Sequence, residues 1–487
     1  MVSLILFACI LFVCPNGLYC LEFRNDTFYF KMDLNKPIRK VSKEFLSVAL
    51  DTSILTREKM WERFNTSSPY LLSMAEALSP AFFRFGGNYA DYLIFEKPSN
   101  TCTHSKNVNK TARNEIIMTG EEWLKLNKFA TQVKWQLLFD LNALLRKDGA
   151  WNPDNAEILM KFNNKFGFFV DWELGNELNS HHQLKGEQLG KDFLKLRRIL
   201  NYFNTTKFSL IVGPDITSHK FQNFLKGFLQ EARTVLNAVT FHHYYVNGRT
   251  AVMEDFLNVD ILDSLIILIK KIHKIVTVEA PKLSIWLGET SSAYGGGAPH
   301  LSNSYIAGFM WLDKLGISAV HGIDVVIRQS LMQGNYALLT KNLKPQPDYW
   351  LSVLYKWLVG DKVIKIHTSP SDRKLRIYAH CTQTERLYNI SDSVTVFIIN
   401  LHNSTVKVYP TELNTSPIHQ YLLTPNAMNL LSRNVKLNGQ ELKLNGTNLP
   451  KFIPKVIFPP IVIPSYSFGF YVFPKISAPA CVNKSRI

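Results

Sequence analysis

The sequence predicts an α/β fold, a (β/α)8 TIM barrel with an appended C-terminal β-sandwich domain. The first reason is that short apolar, β-branched runs alternate with helix-like segments between residues 45 and 329, as expected for strands buried on both faces. The second is that the pattern changes near residue 359 to short strands broken by Asn, Ser, Pro and Gly. A doubly wound sheet is the rival fold, but no glycine-rich phosphate loop follows the first strand.

Eight strands alternating with helices are typical of a TIM barrel. The clearest helices are Gly186–Phe203, a stretch capped by Asp263 or Ser264 that runs to Val276, and Ser302–Leu315. The predicted barrel strands are Phe45–Asp51, Ala81–Gly87, Trp135–Asn142, Phe168–Glu177, Ser209–Asp215, Ala238–Tyr245, Leu283–Thr290 and His321–Gln329.

The C-terminal segment reads as a β-sandwich. We therefore divide the chain into a signal peptide (1–20), an N-terminal strand that joins the sandwich (21–40), the barrel (41–358) and the sandwich (359–487). The predicted sandwich strands are Leu375–Ala379, Val394–Asn400, Val406–Tyr409, Val456–Ile463 and Ser467–Phe473, with Leu21–Met32 added from the N-terminus.

The first fourteen residues are apolar and uncharged, which suits the core of a signal peptide and is too short to span a bilayer. The charged start of a signal peptide is missing, so an N-terminal membrane anchor is the alternative. Several Asn-X-Ser/Thr sequons nevertheless favour a secreted, extracellular protein with no stable membrane insertion. The sequons are at Asn25, Asn65, Asn109, Asn204, Asn389, Asn403, Asn414, Asn445 and Asn483.

The six cysteines fit an oxidising compartment without forming a dense disulfide scaffold. Cys381 and Cys481 could staple the C-terminal part of the chain, whereas Cys20 and Cys102 have no assigned partner.

Lysine and arginine exceed aspartate and glutamate by 55 − 39 = 16. A secreted protein this basic suggests an anionic partner, which is a sulfated or carboxylated glycan, a membrane surface or nucleic acid. The sequence carries no nucleic-acid-binding motif, and its basic residues are spread along the chain rather than grouped in blocks. The alternative explanation is that the positive charge serves only to keep the protein soluble.

Two glutamates carry the predicted chemistry. Glu177 ends the fourth strand and Glu289 ends the seventh, so the two side chains would face each other at the C-terminal mouth of the barrel. A pair of carboxyl groups, one protonated and one ionised, is what the hydrolysis of a glycosidic bond requires. Either glutamate, considered by itself, could instead belong to an ordinary surface ion pair. Glu173, four residues before Glu177, is a less favoured acid because it lies deeper in the barrel.

The adjacent histidines His242 and His243 raise the question of a metal site. Neighbouring residues of a strand point to opposite faces, and the sequence spaces no third ligand near them. We therefore expect no metal and no other cofactor.

Four segments resemble the heparanase group, glycoside hydrolase family 79. They are Asp171–Ser180, His242–Thr250, Trp286–Pro299 and Phe309–Gly316, and the resemblance extends from the first barrel strand to the segment around Cys481. It implies an endo-β-glucuronidase, with Glu177 as acid/base and Glu289 as nucleophile.

The resemblance also implies the residues that bind substrate and a disulfide between Cys381 and Cys481. Lys220 and Arg249 match basic positions that contact an anionic chain, and Tyr244 matches a tyrosine beside the nucleophile. The positions that match those holding the glucuronate are Asp51, Asn176, Tyr294, Gly295, Gly296 and Tyr336.

Three positions depart from the family pattern. Leu178 stands where proline usually follows the Asn-Glu pair, and Asn88 replaces a usual threonine in the second-strand loop. The region from Phe95 to Trp135 is too short for an excisable linker, so we expect a monomer that is active as one uncut chain. Such a chain is similar to leech-type hyaluronidases, which implies a substrate of hyaluronan. Heparan sulfate is the alternative substrate, and an inactive glycosaminoglycan-binding protein is the third hypothesis.

Overall fold

The computed structural model describes residues 26–56, 58–96, 115–181, 184–411 and 416–482. The predicted signal peptide and most of the shortened linker region lie outside these residues. So do Cys20, Cys102 and the sequons at Asn25, Asn109, Asn414 and Asn483.

The eight predicted barrel strands are all present and form one parallel sheet, which confirms the predicted fold. Neighbouring strands pair in the order β4-β3-β2-β1-β8-β7-β6-β5. The sheet closes between its outer strands through a parallel bridge from Trp172 to Ile211. The strands are β1 (Leu46–Asp51), β2 (Ala81–Gly86), β3 (Trp135–Leu141), β4 (Asp171–Leu174), β5 (Val212–Ile216), β6 (Ala238–Asn247), β7 (Ser284–Tyr294) and β8 (Val325–Arg328).

Helices surround the barrel in the expected places, but several boundaries differ from the predicted ones; the helix that begins at Gly186, for example, ends at Leu200 rather than Phe203. α8 begins at Val259, earlier than predicted, because the Asn258 side chain accepts the backbone N–H groups of Asp260 and Ile261. α9 begins at Ala307 rather than Ser302. The α-helices are α1 (Glu58–Arg63), α2 (Pro69–Glu76), α3 (Gly120–Gln132), α4 (Asp154–Phe166), α5 (Leu178–His181), α6 (Gly186–Leu200), α7 (Phe221–Ala232), α8 (Val259–Glu279), α9 (Ala307–Val320) and α10 (Pro347–Leu358).

Two further sheets form the sandwich, and their facing side chains share a core that includes Phe30 and Phe473. The smaller sheet runs Ile366–Ser369, Thr27–Met32, Val406–Pro410, Ile461–Ile463. The larger runs Arg39–Lys40, Val359–Ile364, Leu375–Thr382, Val394–Asn400, Ser467–Phe473, Ile418–Pro425, Val435–Leu437, Gln440–Glu441, with Lys455–Ile457 paired to Ile418–Pro425. Thr27–Met32 thus joins the sandwich as expected. The predicted strand Val456–Ile463 was wrong, because the chain breaks at Pro459 and Pro460 and forms two short strands in different sheets.

The larger sheet packs on α9, which is buried along almost its whole length. Glycines let the two domains approach closely, because a Cβ at Gly308 would lie 2.4 Å from Phe468 and one at Gly316 would lie 2.5 Å from Tyr378. Cys381 and Cys481 form the expected disulfide across a sequence separation of 100 residues. Within the described residues, every helix is too short or too polar to cross a membrane.

Candidate active site

Glu177 and Glu289 meet at the mouth of the barrel. Glu289 lies within β7, and Glu177 follows the end of β4 in a left-handed backbone conformation (φ 53°). This conformation is disfavoured for a residue with a Cβ, and the Glu177 N–H fixes it by donating to the Asp215 carbonyl at 2.9 Å. One carboxylate oxygen of Glu177 lies within 4.8 Å of one of Glu289.

Arg84 of β2 is the cation at the centre of the site, and its side chain is fully buried. Its guanidinium donates to Glu289 Oε2 at 2.8 Å, Glu173 Oε2 at 2.7 Å and Asn176 Oδ1 at 2.9 Å. This planar, multidentate donor holds three side chains from two other strands in fixed positions. Tyr244 donates its hydroxyl to the other oxygen of Glu289 at 2.6 Å. Both oxygens of Glu289 are therefore oriented by donors.

His242 of β6 links Glu177 to a buried aspartate. Its Nδ1 lies 2.8 Å from Glu177 Oε1, and its Nε2 lies 3.1 Å from Asp215 Oδ1. Burial lowers the pKa of His242, but Glu289, Asp215 and Glu177 outweigh it and raise the pKa to about 10. His242 is therefore an imidazolium near neutral pH, and its two ring N–H groups donate to Glu177 Oε1 and Asp215 Oδ1.

The remaining buried carboxyl groups divide into neutral and charged ones. Burial raises the pKa of Glu173 to about 8 and also raises that of Asp140, against the lowering effect of Arg84 on both. Burial raises the pKa of Asp215 too, but Arg84 and His242 bring it below the ordinary value. Glu173 is fully buried and bonded to Arg84, so it lies out of reach of a substrate.

Glu177, His242 and Glu289 form a group whose ligand atoms lie within 4.8 Å of one another, a spacing that could hold a metal ion. His243 is not part of this group, so two of the group's three ligand atoms come from Glu177 and Glu289 rather than from the histidine pair. The two histidines do point to opposite sides, since His243 contacts Lys314 of α9. Protonated His242 has no free lone pair, and both oxygens of Glu289 already accept hydrogen bonds. This arrangement favours a proton over a metal.

Several of the predicted substrate-binding residues lie around the glutamate pair. Asp51, at the end of β1, accepts from Gln329 at 3.0 Å, and its pKa is raised by burial and by Glu289. Asn176 donates to Asn88 Oδ1 at 2.7 Å. The Tyr336 ring stacks on that of Tyr244, with 6.2 Å between centroids.

The other predicted positions lie on exposed loops of the same barrel face. Lys220 precedes α7, and Arg249 follows β6, and both are exposed. Tyr294 ends β7 with half its surface exposed, and Gly295 and Gly296 follow with φ of 77° and 90°, which favour glycine. These residues could contact a chain that extends beyond the central sugar.

Sequence analysis did not assign Arg84, His242 or Asp215 to the site. Each lies at the C-terminal part of a barrel strand, which is the signal that could have identified them. The cation–carboxylate pairing that gives each its role depends on distances between strands far apart in sequence.

The model of the glycosyl hydrolase family 79 N-terminal domain matches residues 60–316. Heparanase from Mus musculus is 39% identical, with 92% of this chain and 93% of that protein covered. Hyaluronoglucuronidase from Hirudo nipponia is 34% identical over 92% of this chain and 98% of that protein. Inactive heparanase-2 from Homo sapiens is 35% identical over 91% and 88%. Among solved structures, a 4-O-α-L-rhamnosyl-β-D-glucuronidase from Fusarium oxysporum superposes with a TM-score of 0.66 at 15% identity, covering 91% and 99% of the chains.

Proposed function

Since the chain belongs to glycosyl hydrolase family 79, we propose that it is a secreted, retaining endo-β-glucuronidase that hydrolyses internal β-1,3 glucuronosyl bonds of hyaluronan. The observation that carries this proposal is the approach of the Glu177 and Glu289 carboxylates to within 4.8 Å. Carboxyl groups about 5–5.5 Å apart support retention, because a wider gap is needed to admit the water of an inverting reaction.

In the proposed mechanism, Glu177 donates a proton to the leaving glycosidic oxygen while Glu289 attacks the anomeric carbon. A covalent glycosyl-enzyme forms, and Glu177 then removes a proton from the water that hydrolyses it. Arg84 and Tyr244 hold Glu289 in position for the attack. His242 orients Glu177 and links it to the fixed charge of Asp215.

We expect the polymer substrate to extend from the two glutamates along the C-terminal face of the barrel. Lys220 and Arg249 lie exposed on the loops after β5 and β6, where they could pair with carboxylates of an anionic polymer. The Hirudo nipponia relative, named for hyaluronan hydrolysis, aligns over nearly its full length. Heparan sulfate is the second candidate, because the higher identity to Mus musculus heparanase favours it.

The test is to digest hyaluronan and heparan sulfate with the purified full-length protein and to identify the new reducing ends. We expect shortened hyaluronan with glucuronate at the reducing end. Glu289→Gln and Glu177→Gln should each lower the rate by about 10³-fold or more, since each removes a reacting group. Folding of both variants is checked by thermal unfolding.

Each alternative gives a different result. Cleavage of heparan sulfate alone would reassign the substrate and leave the two glutamates in their roles. Binding of either polymer without any shortening would instead support an inactive binding protein, and one relative at 35% identity is named an inactive heparanase. An inverted anomeric configuration of the first product would refute the covalent intermediate.

A further inference from the structure

Four aromatic side chains lie exposed at the N-terminal end of the barrel, opposite the catalytic site. We call Phe166, Phe169, Tyr202 and Phe208 the aromatic patch. Tyr202 is 85% exposed, Phe208 82% and Phe169 68%, which is unusual for large side chains with so much apolar surface. Exposed aromatic groups of this kind usually mark a surface that something covers.

The four side chains of the patch lie on or beside two loops that are joined by hydrogen bonds. One loop ends α4 and leads into β4, and the other follows α6 and leads into β5. Thr205 donates to the Asn164 side chain at 3.3 Å, and Ser209 donates to the Val170 carbonyl at 2.5 Å. Phe169 and Phe208 each immediately precede a residue of this second bond, so they lie on neighbouring segments of the chain.

A glycosylation sequon lies within the patch. Asn204 is exposed in a turn closed by the Thr206 and Lys207 N–H groups, which donate to the Phe203 carbonyl at 3.1 and 3.0 Å. Tyr202 stands two residues before Asn204, and Phe208 stands four residues after it. The sequons at Asn65, Asn389, Asn403 and Asn445 are exposed as well, so exposure alone does not single out Asn204. Asn204 differs in having exposed aromatic neighbours, whereas Phe64 and Tyr388, which precede Asn65 and Asn389, are buried.

We propose that Asn204 carries an N-linked glycan whose first N-acetylglucosamine packs on the aromatic patch, chiefly on Tyr202, because the Lys207 ammonium already lies 5.0 Å from the centre of the Phe208 ring. The C–H face of a sugar ring is apolar and weakly positive, so it complements the negative face of an aromatic ring. The glycan removes part of this apolar surface from water and stabilises the turn. This inference rests on the proposed secretion, because a chain meets the glycosylation machinery only when it enters the secretory pathway. Polymer hydrolysis does not depend on it.

The first measurement is site occupancy, determined by peptide mass spectrometry. The full chain is expressed through the secretory pathway of animal cells, with glycan processing held at the oligomannose stage. We expect Asn204 to be occupied. If other sequons carry glycans and Asn204 does not, the inference fails alone. If no sequon carries a glycan, it fails together with the proposed secretion.

The second measurement tests the packing. An endoglycosidase that leaves one N-acetylglucosamine should leave the Tm unchanged, whereas an amidase that removes the whole glycan should lower it by about 2 °C. Asn204→Gln should give the same loss, while the matched control Asn445→Gln should not. Equal shifts in the two variants would overturn the proposal.

A double-mutant cycle locates the contact. Tyr202→Ala should lower the Tm of the glycosylated protein and have little further effect in the Asn204→Gln background. Fully additive shifts would mean that the sugar and the ring do not touch. Gel filtration tests the alternative that a second copy of the chain covers the patch. If the protein is a dimer and Phe208→Ser converts it to a monomer, that alternative holds and the proposal is overturned.

Discussion

The centre of the barrel and its outer wall both bury cations, but they do so in opposite ways. Arg84 at the centre lies within 3.9 Å of four carboxyl groups, and these raise its pKa despite complete burial. Lys314 of α9 and Lys356 of α10 are also buried, yet hydrogen bonds to carbonyl oxygens predominate among their contacts. Burial lowers the pKa of both lysines.

The difference follows from desolvation. A buried charge is stable only when an opposite charge and hydrogen bonds replace the water that it loses, and otherwise the group becomes neutral. At the barrel centre, Arg84 and His242 stay charged because carboxyl groups lie close to both of them. In the wall, burial favours the neutral form of Lys314 and Lys356, whose amines donate hydrogen bonds to carbonyl oxygens. A buried positive charge is therefore favoured where carboxyl groups face it, as at Arg84, and disfavoured where mainly carbonyl oxygens face it, as at Lys314 and Lys356.

The largest expected effect comes from removing the central cation. Arg84→Met leaves Glu289, Glu173 and Asp215 without their shared partner, so the free energy of unfolding should fall by about 3–5 kcal/mol. Hydrolysis should be lost at temperatures where the variant is still folded. Chemical denaturation and rate measurements on the same sample check both effects. A variant with wild-type stability would mean that the carboxyl groups are neutral without Arg84.

Lys356 should give the next largest effect, as a dependence of stability on pH. Burial is the main cause that lowers its pKa to about 7, and the positive charge of Arg386 lowers it further. The negative charge of Glu44 acts in the opposite direction but is outweighed. Below pH 7 both folded and unfolded states bind the proton, and the buried charge destabilises the fold fully. From pH 7 towards 10.5 only the unfolded state holds the proton, so this penalty is progressively relieved.

Lys356→Met removes this titration. The free energy of unfolding of the wild-type protein should rise by roughly 2 kcal/mol between pH 7 and pH 9 through this titration, and the variant should lack that rise. Urea unfolding of both proteins at the two pH values measures it. A difference that does not change with pH would show that Lys356 is charged in the folded state.

Lys314→Met should have the smallest effect. Lys314 donates to Thr290 Oγ1 at 2.6 Å and to the Ser291 carbonyl at 2.8 Å, and it lies 4.2 Å from the centre of the Tyr245 ring. Losing these neutral bonds while keeping the apolar stem should lower the free energy of unfolding by about 1 kcal/mol. A loss as large as that of Arg84→Met would erase the distinction between centre and wall.

The sequence by itself determined the barrel, because strands buried on both faces need continuous apolar runs and leave a signal that no loop resembles. It also located Glu177 and Glu289, since barrel strands carry their functional groups at their C-terminal ends. The start of α8 was wrong because several residues before it can cap a helix, and only the folded backbone selects Asn258.

Only the tertiary structure decided which ionisable groups are charged. Arg84, His242 and Asp215 come from β2, β6 and β5, and nothing in their local sequence pairs them. Their protonation depends on distances of about 3–4 Å between those strands and on the absence of water around them. Electrostatic energy in a buried site is a property of the assembled barrel, whereas the apolar pattern of a strand is already present in the unfolded chain.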